Sequence, residues 1–286
     1  MMNREILKES VRAYGLRADF QIEAIKELCL QADNLPDKAI SFLYDLSKEY
    51  EENTKLTYEK QMEFEKLAAP VHCYTAQMLF YMAFLPILEE KYRQKKLPER
   101  YFERVLFDLR AKLLECRAVY GIWGSFVAIW FARFFNFTLY GIGRLEFAPF
   151  HMECDYEGQG VTLKKGDFSI DVHIPSGAPL PYEEVLCSYR EASEFFGSSV
   201  FVCESWLLWP ENKTLFANCP NLMAFWKDYD VWETEESRDD LWRIFDAHHE
   251  KSPEELPRDS KLRLAYAEHL TKGKSVGWGK GVFVLK

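Results

Sequence analysis

Residues 167–210 contain a predicted strand, a proline-rich turn that opens a predicted helix, and a second predicted strand, in that order. In α/β proteins such a unit is a common binding place for phosphates. The reason is that the first backbone amides of the helix have no partner within it and carry partial positive charge. The turn has the sequence PSGAPL at residues 175–180. We therefore expect an active site, if there is one, in this unit.

Three side chains on the two strands could do chemistry. His173 lies on the polar face at the end of the first strand, where a base could act, and a hydrogen-bonded structural histidine is the alternative. Glu204 lies on the second strand and could be a base or be paired with a lysine. Cys203 could be a nucleophile only with a histidine partner, which the sequence does not identify, so a buried thiol is the other interpretation.

Composition limits the class of protein to which this chain can belong. The chain has 286 residues, of which 48% are hydrophobic, and this is enough for two domains. A net charge of −9 argues against binding nucleic acid through a basic face. Seven cysteines without a C-x-x-C pair, and an N-terminus without a signal-peptide core, predict reduced thiols in a cytoplasmic protein with no metal site.

The apolar run at residues 119–142 is long enough to span a bilayer. It contains three glycines and Arg133, and an arginine at membrane depth costs roughly 2.5–3.5 kcal/mol even on lenient scales. We interpret the run as a buried helix at a domain junction, and we expect no membrane span.

The hydrophobic period changes near residue 140. Six segments before it have a helical period, which predicts a helical domain over residues 1–138 and a second domain over 139–286. After it, RLEFAPF, VTLKK and DFSIDVHI predict an antiparallel meander, and VFVCESWLLW predicts a strand parallel to DFSIDVHI across a right-handed crossover. The remaining elements are predicted as a helix at NLMAFWKDY, a strand at LWRIF, a helix before Gly273 and a last strand at GVFVLK.

The segments VHIPSGAPL, SYREASEFF, FVCESWLL and LPRDSKLRLAYAEHL resemble a bacterial family of acyltransferases, and GRLEF is similar to an early strand of that family. The resemblance covers residues 140–286 well, and the helical half more by position than by motif. It implies an α+β protein, with a helical N-terminal domain followed by a GNAT-like mixed β-sheet domain with flanking helices.

The resemblance implies transfer of an acyl group from acetyl-CoA or another acyl-CoA to a small-molecule or peptide amine. The thioester would lie in a gap between the two parallel strands, with its pyrophosphate on the amides of the turn. Acyl transfer then needs a base, a backbone amide for the thioester oxygen and an acid for the leaving thiolate. The implied base is His173 or Glu204, and the implied acid is Tyr229. The implied cofactor contacts are Ile174, Ser176, Gly177, Ala178, Leu180 and Ser205.

The chain also departs from the usual pattern of that superfamily. The turn lacks a glutamine- or arginine-led glycine loop, and its two prolines have no amide hydrogen to donate. Glu183 and Glu184 begin the helix, where they repel an incoming anion. Trp226 stands where a tyrosine is usual, with Tyr229 nearby along the helix. A non-catalytic ligand-binding or protein-interaction module with the same fold is therefore the alternative hypothesis.

Overall fold

The structure is a computed structural model that describes residues 3–286. The chain divides into two compact units, Met1–Tyr140 and Gly141–Lys286. Met1 and Met2, which the predicted N-terminal domain includes, lie outside the described residues. The predicted boundary after residue 138 stays a prediction.

The first unit consists of helices, and each of the six predicted segments is helical. The helices are α1 (Arg4–Arg17), α2 (Ile22–Asp33), α3 (Asp37–Glu51), α4 (Tyr58–Ala68), α5 (Cys73–Gln94) and α6 (Glu99–Tyr120). Helix α5 is apolar around most of its circumference and supplies much of the core, including Phe80, Tyr81 and Phe84, which are 0% exposed. It continues through Pro86.

The predicted buried helix at residues 119–142 is wrong. Helix α6 ends at Gly121, whose φ of 73° is left-handed, and the chain then forms a 3-10 turn and the short helix α7 (Phe131–Phe135). Gly124 also excludes a side chain, because an added Cβ would lie 2.4 Å from the carbonyl carbon of Tyr74. Within residues 3–286, no single helix meets the length and hydropathy needed to cross a membrane; only α4 and α5 together do, and they are bent by 119°.

The second unit is built on a mixed sheet. The strands are β1 (Tyr140–Ile142), β2 (Leu145–His151), β3 (Tyr156–Gly158), β4 (Val161–Leu163), β5 (Phe168–His173), β6 (Val200–Ser205), β7 (Asp230–Glu236) and β8 (Gly277–Val284). The helices are α8 (Tyr182–Phe196), α9 (Asn212–Leu215), α10 (Pro220–Asp228), α11 (Trp242–Phe245) and α12 (Lys261–Thr271). The six-stranded sheet has the order β1-β2-β5-β6-β8-β7, and β5 and β6 are its parallel pair, as predicted.

Two predicted strand assignments differ from the structure. Strand β4 does not lie between β2 and β5, which pair directly with each other; it forms a separate hairpin with β3. The left-handed residues Gln159 and Gly160 make the tight turn of this hairpin. The segment LWRIF lies in a short helical turn at α11, and the edge strand is instead the acidic β7.

The two faces of the sheet have different coverings. Tyr189 of α8 contacts Phe147 and Phe201 on one face, which we call the helix face. On the other face, the hairpin face, Val202 packs against Tyr156 of the β3–β4 hairpin. Because strand side chains alternate between faces, the pairing register assigns each candidate to one of them. The hairpin face carries Glu146, Asp171, His173, Glu204 and Lys280, and the helix face carries Val172 and Cys203.

Candidate functional site

A gap opens between the two parallel strands of the sheet. The ladder between β5 and β6 consists of two pairs, Ile170 with Phe201 and Asp171 with Val202. Beyond them β5 still pairs with β2 as far as His173, and β6 still pairs with β8 as far as Ser205. Each strand therefore keeps its outer neighbour, while the last residues of the two strands do not pair with each other. This is the divergence that the sequence resemblance implied.

The turn between β5 and α8 lies at the open end of this gap, because β5 leads directly into it. Gly177, at the exposed tip, has a φ of 83°, a left-handed conformation that favours glycine. Pro181 is the N-cap residue of α8, and its side chain makes no capping hydrogen bond to this helix. The amides of the first helical turn, Tyr182 to Glu184, are thus available to an anion.

A buried arginine holds the inner side of the turn. Arg144, directly before β2, is 6% exposed, and its Nε donates to the carbonyl of Pro179 at 2.7 Å. Its Nη2 donates to the carbonyl of Ala178 at 2.8 Å. Sequence reasoning did not assign Arg144 to this turn because it is more than 30 residues away along the chain. The sequence signal that pointed to Arg144 is its position in the GRLEF segment, which is similar to an early strand of the acyltransferase family.

His173 has a carboxylate partner on its own strand. Its Nε2 lies 2.6 Å from Oδ2 of Asp171, and both side chains are partly exposed, at 23% and 20%. A carboxylate at this distance fixes the orientation and tautomer of an imidazole. The pair lies at the end of β5 where the gap opens, so the geometry suits a general base.

Glu204 and Ser205 have structural partners. A Glu204 carboxylate oxygen lies 3.7 Å from Nζ of Lys280, which also contacts Glu153, and the Glu204 side chain is 53% exposed. The hydroxyl of Ser205 accepts a hydrogen bond from the amide of Leu207 at 3.2 Å and so caps the 3-10 turn after β6. Glu204 therefore has the lysine partner that was the alternative to a base, and the predicted roles of both residues stay predictions.

Tyr229 lies in the core beneath the gap, together with Cys203. The hydroxyls of Tyr229 and Tyr189 are 2.7 Å apart, and burial raises the pKa of both well above the ordinary value for tyrosine. Cys203 is 0% exposed, and burial likewise raises the pKa of its thiol. This thiol stays protonated at neutral pH, which disfavours Cys203 as a nucleophile.

A second buried carboxyl group joins α10 to the start of α8. The hydroxyl of Tyr182 donates to Oδ1 of Asp228 at 2.7 Å. Oδ2 of Asp228 is buried and has no hydrogen-bond partner among the described residues. Burial raises the pKa of Asp228 to about 6, although the bond from Tyr182 opposes this shift. Sequence reasoning missed Asp228, because only the fold brings it to Tyr182.

Of the predicted cofactor contacts, Ile174 to Leu180 form one continuous turn, and Ser205 lies across the gap at the end of β6. Ser176 is partly buried, Ala178 is exposed and Leu180 is buried. Within residues 3–286, no three histidine, cysteine or acidic side chains are grouped so that they could hold a metal ion.

A mixed sheet with a diverging parallel pair, crossed by a helix with an uncapped start, is a GNAT-like fold. The family model of the GNAT-like C-terminal domain matches residues 139–283, and that of the N-acyltransferase N-terminal domain matches residues 19–137. The chain therefore belongs to the GNAT-like N-acyltransferase family that these two models describe. The resemblance found in the sequence is confirmed. No curated protein sequence matches the chain significantly.

Solved structures share the fold over nearly the whole chain. A mutant acyltransferase in complex with octanoyl-CoA has a TM-score of 0.74 at 18% identity, covering 97% of this chain and 88% of that one. An acyltransferase in complex with decanoyl-CoA has a TM-score of 0.64 at 18% identity, covering 96% and 99%. A complex with decanoyl-CoA and teicoplanin also has a TM-score of 0.64, at 16% identity and with coverage of 96% and 99%.

Proposed function

We propose that this protein is an N-acyltransferase that moves an acyl group from acyl-CoA to an amine. The observation that carries the proposal is the divergence of β5 and β6 after two residue pairs, next to the uncapped start of α8. Beyond Asp171, the edge of β5 that faces β6 forms no ladder pair with it, so this edge is open to the hydrogen bonds of a ligand. The amides of a pantetheine arm are suitable partners.

The donor would lie with its pyrophosphate on the turn and its thioester in the gap. The turn supplies the amides of Ser176, Gly177, Ala178 and Leu180, and α8 supplies the amides of its first turn. Relatives of the same fold hold octanoyl-CoA and decanoyl-CoA, which favours donors of that chain length for this protein as well. Acetyl-CoA is the shorter donor that the sequence suggested.

The side chains at the gap suit a base-assisted transfer. His173, oriented by Asp171, would take one proton from the nitrogen of the neutral acceptor amine as that nitrogen forms its bond to the thioester carbonyl carbon. Collapse of the tetrahedral intermediate breaks the carbon–sulfur bond, and the thiolate takes up a proton. Tyr229 is the proposed acid: if Tyr189 donates in their shared hydrogen bond, Tyr229 keeps its own proton for the thiolate.

The acceptor is proposed to be a small-molecule or peptide amine. A relative of the same fold has been solved with teicoplanin, which supports a small-molecule acceptor. The net charge of −9 is compatible with a cationic amine. The seven cysteines, all within the described residues, are free thiols, which supports a cytoplasmic location.

The test is turnover with a matrix of donors and acceptors. Acetyl-, butyryl-, octanoyl- and decanoyl-CoA are each incubated with a panel of primary amines and with no amine, and released CoA and acylated product are measured by absorbance and mass spectrometry. The proposal expects amine-dependent release of CoA with an equal amount of acylated amine. Saturable binding of acyl-CoA without any product would instead support the non-catalytic alternative.

A further inference from the structure

Arg144 connects three parts of the second unit. Its guanidinium donates to the carbonyls of Ala178 and Pro179, on the inner side of the turn. Its backbone amide donates to the hydroxyl of Ser188 at 2.7 Å, and this hydroxyl donates to the carbonyl of Glu184 at 2.7 Å. Arg144, which directly precedes β2, is therefore bonded both to the turn and to the first half of α8.

The neighbour of Arg144 is also constrained. Gly143 has a φ of 61°, and a Cβ added there would lie 2.4 Å from the Ser188 hydroxyl oxygen. Only glycine permits this approach without displacing Ser188. Gly143 thus permits the close approach of the chain before β2 to Ser188 in the first half of α8.

We propose that Arg144 is the positioning residue of the phosphate-binding turn, and that it gives this turn its affinity for the phosphate groups of CoA. This inference rests on the proposed function. The site has no glycine loop of the usual kind, so the few amides that remain must be oriented by something other than glycines. The contacts of Arg144 provide that orientation for the amide of Leu180.

The orientation follows from peptide geometry. In a trans peptide the carbonyl and the N–H point in opposite directions. Because the carbonyl of Pro179 points to the guanidinium of Arg144, the N–H of Leu180 points away from it. The carbonyls of Ala178 and Pro179 are held toward Arg144, and an anion approaching from the opposite side does not meet them.

Charge adds a second contribution. Glu183 and Glu184 are exposed in the first turn of α8 and repel an anion at this helix start. Arg144 places a permanent positive charge directly beneath the turn, and at 6% exposure that charge is screened less than one in solvent. It therefore offsets part of the repulsion from the two glutamates.

A lysine cannot replace both contacts. The guanidinium holds two carbonyls with two nitrogens in a fixed plane, whereas an ammonium is a point charge on a flexible stem. Arg144→Lys keeps the charge and loses the fixed geometry, and Arg144→Gln loses both. The two variants separate orientation from charge.

The experiment compares ligands with and without phosphates. Binding of CoA and of pantetheine, which lacks the phosphates and adenosine, is measured by titration calorimetry for wild type, Arg144→Lys and Arg144→Gln. KM and kcat are measured with the matching acyl donors. The matched control is Lys165→Gln, which removes an exposed lysine on the turn before β5.

We expect Arg144→Lys to weaken CoA binding about tenfold and Arg144→Gln by up to about 100-fold, since each loses charge-assisted hydrogen bonds. Binding of pantetheine, and kcat at saturating acyl-CoA, should change less than about twofold, and Lys165→Gln should behave as wild type. A merely structural role would weaken both ligands alike.

Three results would overturn the inference: equal losses for CoA and pantetheine, no loss for either, or Arg144 variants that do not fold by circular dichroism. Wild-type protein that binds no CoA would contradict the proposed function, and this inference with it. Wild type that binds CoA as tightly as both folded Arg144 variants contradicts this inference alone.

Discussion

His173 and Asp171 stand two residues apart on β5, so their side chains leave the same face of the sheet and meet at 2.6 Å. Glu204 lies on the same face but is paired with Lys280. Of the two bases that the sequence offers, the geometry favours His173.

His173→Gln should lower kcat by about 10²–10⁴-fold, because a general base contributes a factor of this size. Binding of acyl-CoA should be unchanged, since its phosphates are proposed to contact the turn and not His173. Steady-state kinetics and calorimetry on the same preparations measure both. Glu204→Gln is the matched control and should keep kcat within about threefold. If Glu204→Gln lost activity while His173→Gln kept it, Glu204 and not His173 would be the base.

Asp228 makes the stability of the protein depend on pH. Its pKa in the folded state is about 6, above the ordinary value of 3.8. Between pH 3.8 and about 6, Asp228 is therefore protonated in the folded protein and ionised in the unfolded chain. The contribution of Asp228 to stability is therefore greatest at acidic pH and falls as pH rises from about 4 to 6.

Asp228→Asn removes this titration and keeps an oxygen for the hydroxyl of Tyr182. The free energy of unfolding of the variant, relative to wild type, should rise by about 1–2 kcal/mol between pH 4 and pH 7.5, a figure reduced for partial solvent screening. Urea unfolding at several pH values measures the difference. A difference that does not vary with pH would show that Asp228 titrates normally.

At the scale of elements, the turn before α8 depends on the left-handed backbone of Gly177. Gly166, in the tight turn before β5, has a similar φ of 93°, with open space around it. The two glycines have the same conformational requirement, but only Gly177 lies in the proposed phosphate site.

Gly177→Ala and Gly166→Ala should each destabilise the protein by about 1 kcal/mol, because alanine is strained at positive φ. Only Gly177→Ala should raise KM for acyl-CoA, by several-fold, as the turn moves out of position. Thermal unfolding and steady-state kinetics together separate the two effects. Equal KM values for both variants would show that the turn does not contact the donor.

Elements with a strong period were predictable from the sequence, and those that depend on long-range contacts were not. The six helices of the first unit and the β5–α8–β6 crossover follow from their apolar periods. Strand β7 was missed because DVWETEE is an acidic edge strand with little apolar alternation. The role of Arg144 was missed because its partners lie more than 30 residues further along the chain.

At the scale of the whole molecule, both halves of the chain match N-acyltransferase family models, and the catalytic candidates lie in the second unit. The central claim is that acyl-CoA binds in the gap between β5 and β6 and on the turn that follows β5. Binding there should slow hydrogen exchange of the backbone amides next to the gap and the turn, and should not slow it throughout the protein.

Hydrogen exchange measured by mass spectrometry, with and without decanoyl-CoA, tests this most directly. Decanoyl-CoA is expected to slow exchange in peptides covering residues 172–184 and 203–206, and to leave peptides of the β3–β4 hairpin unchanged. Saturating decanoyl-CoA that leaves residues 172–184 unprotected, or that protects only peptides outside these two segments, would contradict it.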